Sequence, residues 1–174
     1  TAFDLALLQV APADAAGRHS LGIACDFTPA VLAGARRIFA HVNPRMPRTA
    51  GPSIAAAHID ALVEVDAPLL EFPDAEPDPP LARLAANVAG LVTDGDTLQF
   101  GLGRIQAAVL RCLVARRGLR VHSGMVSDTL LLLDAAGALA ARDARAPPVT
   151  CGVALGTGAL YAAVADPGLV RFAG

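Results

Sequence analysis

The sequence contains neither lysine nor tryptophan, and aromatic residues make up only 4% of its 174 residues. Its basic side chains are arginines and four histidines, and the formal net charge is -2. A chain with this charge has no positive field that would attract nucleic acid. The shortage of aromatic rings also argues against surfaces on which bases stack. We therefore expect no nucleic-acid partner.

Long hydrophobic runs are missing as well, although 54% of the residues are hydrophobic. The run at residues 130–133 is far shorter than the ~20 residues that a membrane-spanning helix needs. The first residues lack the basic and apolar regions of a signal peptide. Apolar content spread evenly over Ala, Val and Leu is typical of parallel strands covered on both faces. We expect a cytoplasmic protein with no membrane partner.

Cysteines are few and widely spaced, at positions 25, 112 and 151. An odd number without a CxxC pair indicates neither a disulfide framework nor a zinc site. Each cysteine is predicted to be a small buried apolar residue. The histidines show no HxxxH or HExxH spacing, so no metal site is predicted.

Strand and helix patterns alternate along the chain in two blocks, which predicts an α/β fold with parallel sheets. The blocks are separated by residues 71–80, which hold four prolines and four acidic residues. This composition is typical of an exposed, extended linker. The predicted organisation is therefore the C-terminal part of a first domain over residues 1–70, a linker over 71–80, and the N-terminal part of a second domain over 81–174.

Individual elements follow from local signals. Thr28 is the predicted N-cap of a helix with Pro29 at its first position and an apolar face that reaches Phe39. The second block predicts a helix over 81–91, a strand over 97–100, a helix over 105–117 and a strand over 119–122. Arg116 and Arg117 would then lie in the last turn of a helix, facing its negative end.

Three segments end strands of the second block, where open α/β sheets collect functional residues. Gly101 and Gly103 could bring bare backbone near a ligand, but a lone GxG is a weak signal and a tight strand-to-helix turn is the favoured explanation from the residues alone. His122 and Ser123 are adjacent on a strand and point to opposite faces, so we expect no Ser–His nucleophile and a partly buried histidine. Ser127 and Asp128 are most simply helix caps.

Five collinear motifs resemble those of the acetyl-CoA hydrolase/CoA-transferase family, which includes acetate and 4-hydroxybutyrate CoA-transferases. They cover nearly the whole chain. The segments are QVAPAD at 9–14 with SLG at 20–22, VNPRMPRT at 42–49, LQFGLG at 98–103, HSGMVSD at 122–128, and ALG at 154–156 with Leu160 and Tyr161. The second and fourth resemble the family patterns VNPxMPRTxG and HSEMxSDG.

The resemblance implies a mechanism and a set of site residues. Two related α/β domains would enclose the active site, where a glutamate attacks an acyl-CoA thioester and a carboxylic acid later accepts the CoA. Acyl-CoA and a small carboxylic acid are thus the implied partners, coenzyme A enters as substrate, and no metal is needed. The implied oxyanion and substrate-binding residues are Gln99, Gly101, Gly103, His122, Ser123, Ser127 and Asp128.

One residue departs from the family pattern at the reacting position. Gly124 stands where the family carries its catalytic glutamate, and Thr129 follows Asp128 where the family usually has glycine. A sharp turn at Gly124 is one explanation. The resemblance covers a central part of the family's length, so a homo-oligomer or a complementing chain could complete the site. The alternatives are a catalytically silent CoA-binding homologue and a truncated fragment.

Overall fold

The computed structural model describes residues 3–74, 79–101 and 103–174. Strands and helices alternate along it, which confirms the predicted mixed α/β fold with parallel sheets. The strands are β1 (Ala6–Val10), β2 (Arg18–Ser20), β3 (Ile38–Val42), β4 (Ser53–Ala55), β5 (Ala61–Glu64), β6 (Thr97–Leu98), β7 (Arg120–Val126), β8 (Val149–Ala154) and β9 (Val170–Phe172). The helices are α1 (Thr28–Gly34), α2 (Pro79–Ala89), α3 (Arg104–Arg111), α4 (Thr129–Ala135) and α5 (Gly158–Ala163).

The first half contains a three-stranded parallel sheet in the order β1-β3-β5. Side chains alternate between its faces, so Ala6 and Ile38 are buried while their neighbours Leu7 and Phe39 are exposed. Leu7, which is 73% exposed, pairs in register with Phe39. Gln9 and His41 form the next pair on the same face and are exposed as well, so this face of the sheet is open and carries both apolar and polar side chains.

The second half contains a four-stranded parallel sheet in the order β6-β7-β8-β9. Helices α3, α4 and α5 connect successive strands and bury leucines such as Leu110, Leu133 and Leu160. Val121 and Val149 lie opposite each other in the sheet and are fully or almost fully buried. Val121 and Val149 lie on the covered face, whereas Arg120, His122 and Gly124 on the other face of β7 are exposed. Within the described residues, the predicted covering of both faces is therefore met on one face only.

Two short strands were not predicted. β2 and β4 form an antiparallel ribbon in which Arg18 pairs with Ala55 and Ser20 with Ser53. Each strand has three residues, too few to show an alternating pattern, and side-chain bonds support the pairing. Arg18 Nε donates to Ser53 Oγ at 2.8 Å.

The two halves are joined by backbone hydrogen bonds as well as by a shared core. β8 pairs with β9 only over residues 149–151. Past that point, the same edge of β8 is bordered by residues 23–25, which run antiparallel to it. Cys25 N donates to Gly152 O at 2.8 Å, and Ala154 N donates to Ile23 O at 2.9 Å. Phe172 N donates to Ala50 O at 2.7 Å. The division at residues 70 and 81 stays a prediction.

The described part of the predicted linker is exposed and extended but attached to the second half. Phe72 N donates to Gly156 O at 2.9 Å, and Glu71 Oε1 accepts a bond from Gly158 N at 2.7 Å. Residues 75–78 lie outside the described residues. The expectation that 71–80 contains no helix is wrong at its end, because Pro79 and Pro80 form the first turn of α2, where the missing proline N–H groups would have no intrahelical partner.

Several predicted boundaries are wrong. α1 ends at Gly34, so Phe39 lies in β3, and the Thr28 hydroxyl bonds back to Ala24 O instead of capping. α3 ends at Arg111 and is followed by turns, so Arg116 and Arg117 lie outside any helix. The strand predicted over 97–100 ends at Leu98, and the one over 119–122 continues to Val126. No helix in the described ranges is long and apolar enough to cross a membrane.

Candidate active site

A cleft of about 660 Å³ opens on the exposed face of the four-stranded sheet. Its floor is formed by β7 and β8, and its opposite wall by the chain that enters α1. Four of the predicted site residues line it, namely Gln99, His122, Ser123 and Gly124. The structure thus brings the first three residues of the HSGMVSD motif together with Gln99 at one cleft.

The strand β7 separates its two polar residues by alternation. Ser123 is only 3% exposed, whereas His122 on the other face is exposed rather than partly buried as predicted. The Ser123 hydroxyl donates to Phe100 O, which ties the segment after β6 to β7, and it lies 2.9 Å from Met125 O. These bonds and the opposite orientation of the two side chains exclude a Ser–His nucleophilic pair.

Gly124 has room for a side chain. A Cβ built at this position meets no atom within 4 Å, and the residue has no positive φ. The explanation by a sharp turn is therefore wrong, because Gly124 lies inside β7 with backbone angles open to any residue. Across the strand pair, a Cβ on Gly152 would lie 3.0 Å from Gly124 O.

The glycines of the LQFGLG motif lie beside the cleft and not among its lining residues. Gly101 is exposed, and Gly103 precedes α3 with φ of 138°. That angle lies in the region open mainly to glycine, and a Cβ on Gly103 would lie 2.8 Å from Gln106 Oε1. Leu102, between them, is outside the described residues. A tight entry into α3 accounts for Gly103, and the oxyanion role stays a prediction.

Ser127 and Asp128 lie past the end of β7, away from the cleft-lining residues. Ser127 Oγ donates to Asp74 Oδ2 at 2.8 Å. Asp128 Oδ1 accepts bonds from Thr157 N and Thr157 Oγ1, each at 2.9 Å. The predicted capping role is wrong for both side chains, because neither forms a cap hydrogen bond with α4. The Thr129 amide at the start of α4 donates instead to Asp74 Oδ2, at 3.0 Å.

A carboxylate that the sequence did not single out also lines the cleft. Asp26 is half-buried between the segment paired with β8 and α1. Its Cβ lies 3.0 Å from the position that a Cβ on Gly152 would occupy. The only sequence signal was its place between the SLG motif and Thr28-Pro29, because the contact with β8 spans more than a hundred residues.

The thiols near the cleft are held in their protonated form. Burial, with a smaller contribution from the Asp26 charge, raises the pKa of Cys25 to about 12. Burial, followed by the nearby Cys25, raises the pKa of Cys151 to about 12. A thiol with such a pKa is a weak nucleophile at neutral pH. Cys112 is exposed, so its predicted burial is wrong; α3 has already ended at Arg111.

Groups of three or more His, Cys, Asp or Glu side chains that could hold a metal ion are not found within residues 3–74, 79–101 and 103–174. The cleft is lined by one side-chain carboxylate, Asp26, and one imidazole, His122, together with the polar side chains of Gln99 and Thr150.

The sequence of this chain is similar to a known protein family and to several known proteins. Residues 1–71 match the acetyl-CoA hydrolase/transferase N-terminal domain. The 4-hydroxybutyrate coenzyme A transferase of Clostridium kluyveri is 39% identical over 137 residues, which are 78% of this chain and 32% of that protein. A succinyl-CoA:acetate/propanoyl-CoA:succinate CoA transferase of Fasciola hepatica is 37% identical over 140 residues, 78% of this chain and 29% of that protein.

Solved structures of known proteins also superpose on this chain. The 4-hydroxybutyrate CoA-transferase of Porphyromonas gingivalis superposes with a TM-score of 0.87 at 30% identity, over 98% of this chain and 44% of that one. RipA from Yersinia pestis gives a TM-score of 0.87 at 29% identity, over 97% and 40%. The chain spans about a third of the length of the curated relatives it matches. These matches confirm the predicted resemblance to the acetyl-CoA hydrolase/transferase family.

Proposed function

We propose that the cleft binds an acyl-CoA thioester and that the protein acts on the thioester bond. The observation that carries this proposal is the position of Gly124, which lines the cleft where the family motif has its glutamate. His122 and Gln99 line the same cleft and would contact the acyl group or the pantetheine chain. The names of the relatives, which describe CoA-transferases for small carboxylic acids, support acyl-CoA and a carboxylate as the substrate class.

Gly124 decides which reaction is expected of the unmodified chain. Transfer of CoA through an enzyme-bound thioester needs a carboxylate that forms a covalent bond, and glycine offers none. We therefore propose hydrolysis of acyl-CoA by water in the unmodified protein. The open space at Gly124 supports this reading, because a water molecule can enter where the family's side chain would lie.

Restoring the carboxylate tests the proposal. Gly124→Glu is expected to fit without strain and to form a covalent CoA adduct when mixed with acetyl-CoA, followed by exchange of labelled acetate. Gly124→Gln is the matched control, since it has the same size but no nucleophilic oxygen anion. The expected difference in exchange rate is on the order of 10⁴-fold. Intact mass spectrometry reports the adduct directly.

Two outcomes bear on the proposal in opposite ways. Adduct in Gly124→Glu and none in Gly124→Gln would support a thioester site at this cleft. Failure of the unmodified chain and both variants to bind acetyl-CoA in calorimetry would contradict it. Binding of acetyl-CoA by the unmodified chain without turnover would favour the second candidate, a silent CoA-binding homologue, which the missing carboxylate at position 124 supports.

Completion of the site by another polypeptide belongs to the same proposal. The relatives are about three times as long as the matched region, and the sheet face that carries Leu7 and Phe39 is open. Parallel sheets are normally covered on both faces. We propose a homo-oligomer or a complementing chain as the cover, and a cytoplasmic location, where acyl-CoA is formed and used.

A further inference from the structure

The cleft holds a carboxylate on the wall that faces Gly124. Asp26 Cβ and Gly124 O each lie 3.0 Å from the position that a Cβ on Gly152 would occupy. The two atoms are therefore separated by at most twice that distance. A carboxylate on the α1 side thus lies beside the residue from which the family's glutamate would project on the β7 side.

The Asp26 carboxylate is available for chemistry. Its side chain is half-buried and lines the cleft. It makes no hydrogen bond or ion pair among residues 3–74, 79–101 and 103–174, unlike Asp74 and Asp128, whose carboxylates accept backbone and hydroxyl donors. A carboxylate oxygen without a fixed donor can accept a proton from a bound water.

The other reactive groups at the cleft are less suited to this step. The Cys151 thiol stays protonated because burial raises its pKa to about 12. Ser123 is buried on the opposite face, and its hydroxyl is held by Phe100 O. His122 lies two residues before Gly124 on the same face of β7 and is the remaining competitor.

We propose that Asp26 is the general base of a hydrolysis reaction, a proposal that rests on the cleft being an acyl-CoA site. A water molecule occupies the open space in front of Gly124 and gives a proton to the Asp26 carboxylate. Its oxygen forms a bond to the thioester carbonyl carbon. The carbon–sulfur bond then breaks, and the CoA sulfur leaves with the bonding electrons and takes the proton from Asp26. The products are a carboxylic acid and CoA thiol, and Asp26 returns to its carboxylate form.

The experiment measures hydrolysis and binding of acetyl-CoA by the unmodified chain, by Asp26→Asn and by the control Glu64→Gln. Glu64 is exposed at the end of the edge strand β5, outside the cleft. Asp26→Asn keeps the side-chain shape and is expected to lower kcat by about 100-fold or more, with the dissociation constant for acetyl-CoA unchanged. Glu64→Gln is expected to match the unmodified chain in both.

A second background separates a catalytic role from a structural one. In Gly124→Glu the restored nucleophile attacks the thioester without water, so adding Asp26→Asn is expected to leave formation of the CoA adduct intact. Loss of the adduct in the double variant would overturn the proposal, because Asp26 would then shape the cleft only. Unchanged hydrolysis in Asp26→Asn, or a loss confined to His122→Gln, would overturn it as well.

Measurements of acetyl-CoA binding separate the proposed role of Asp26 from the proposed acyl-CoA site. Acetyl-CoA that binds the unmodified chain without being hydrolysed would overturn the role of Asp26 and leave the acyl-CoA site standing. Absence of binding to the unmodified chain and to Gly124→Glu would overturn the acyl-CoA site, and the role of Asp26 with it. Hydrolysis that depends on Asp26 in the unmodified chain, together with adduct formation that does not, is the result expected.

Discussion

The two ends of the HSGMVSD motif behave differently although only a few residues separate them. At His122 and Gly124 the side-chain positions face an open cleft, and a Cβ on Gly124 would touch nothing within 4 Å. At Ser127 and Asp128 the side chains are engaged by Asp74 and Thr157. The difference teaches that a contiguous motif can combine positions that face an open cleft with an anchor for distant chain segments. The predictions below test this contrast.

The largest effect is expected at the anchored end. Asp128→Ala removes the acceptor of two bonds from Thr157 and leaves the Thr157 amide without its partner. Because hydrogen bonds to a charged group are among the stronger ones, we expect the free energy of unfolding to fall by about 2–3 kcal/mol. Urea denaturation followed by circular dichroism measures the change.

Asp128→Asn is the matched control for that variant. It keeps an oxygen at the Oδ1 position and should lose roughly half as much stability, since the bonds to a neutral amide oxygen are weaker. An Asp128→Ala protein as stable as the unmodified chain would contradict the anchoring role and would return Asp128 to the set of candidate substrate-binding residues.

A smaller effect is expected from the linker side of the same anchor. Asp74→Ala removes the bonds from Ser127 Oγ and Thr129 N, so α4 loses the acceptor at its first turn. We expect a loss of about 1–2 kcal/mol, as for a removed helix cap, and faster chymotrypsin cleavage at Phe72, whose side chain is exposed. Equal cleavage rates in Asp74→Ala and the unmodified chain would argue against a docked linker.

The smallest effect is expected at the open end. Gly124→Ala adds a methyl group into empty space at a position with ordinary backbone angles, so it should stabilise the protein by about 0.4–1 kcal/mol through the unfolded state. The neighbouring Gly152→Ala provides the contrast. Its Cβ would lie 3.0 Å from both Asp26 Cβ and Gly124 O, and overpacking should cost about 1 kcal/mol. Similar stability changes for the two variants would remove the proposed difference between the two glycines.

Much of the fold could be predicted from the sequence, because many of its strands and helix ends follow local residue patterns. The apolar runs of β1 and β8 and the glycine after α4 predicted strands and helix ends within a few residues. The ribbon β2-β4 could not be predicted, because each strand has only three residues and its pairing partner is distant in the sequence. The end of α3 at Arg111 could not be predicted, because the apolar pattern continues beyond it into turns that contain the buried Leu113.

The candidate site was predictable only where the motif itself lined it. Gln99, His122, Ser123 and Gly124 were found through their resemblance to family motifs, and the structure gathers them at one cleft. Asp26 could not be found this way, since its position depends on the antiparallel contact between residues 23–25 and β8. The linker composition indicated exposure correctly but gave no sign that Glu71 and Asp74 would bind backbone amides of the second half.

The docked linker has a consequence for where a ligand can bind. Open α/β sheets usually receive anionic ligands at the carboxyl ends of their strands, where helix N-termini present free amides. In this protein Asp74 accepts the amide of Thr129 at the start of α4, and Glu71 accepts that of Gly158 at the start of α5. The chain thus fills its own anion sites with its own carboxylates. An incoming anion finds those two amides occupied, so neither helix start offers it a free donor there.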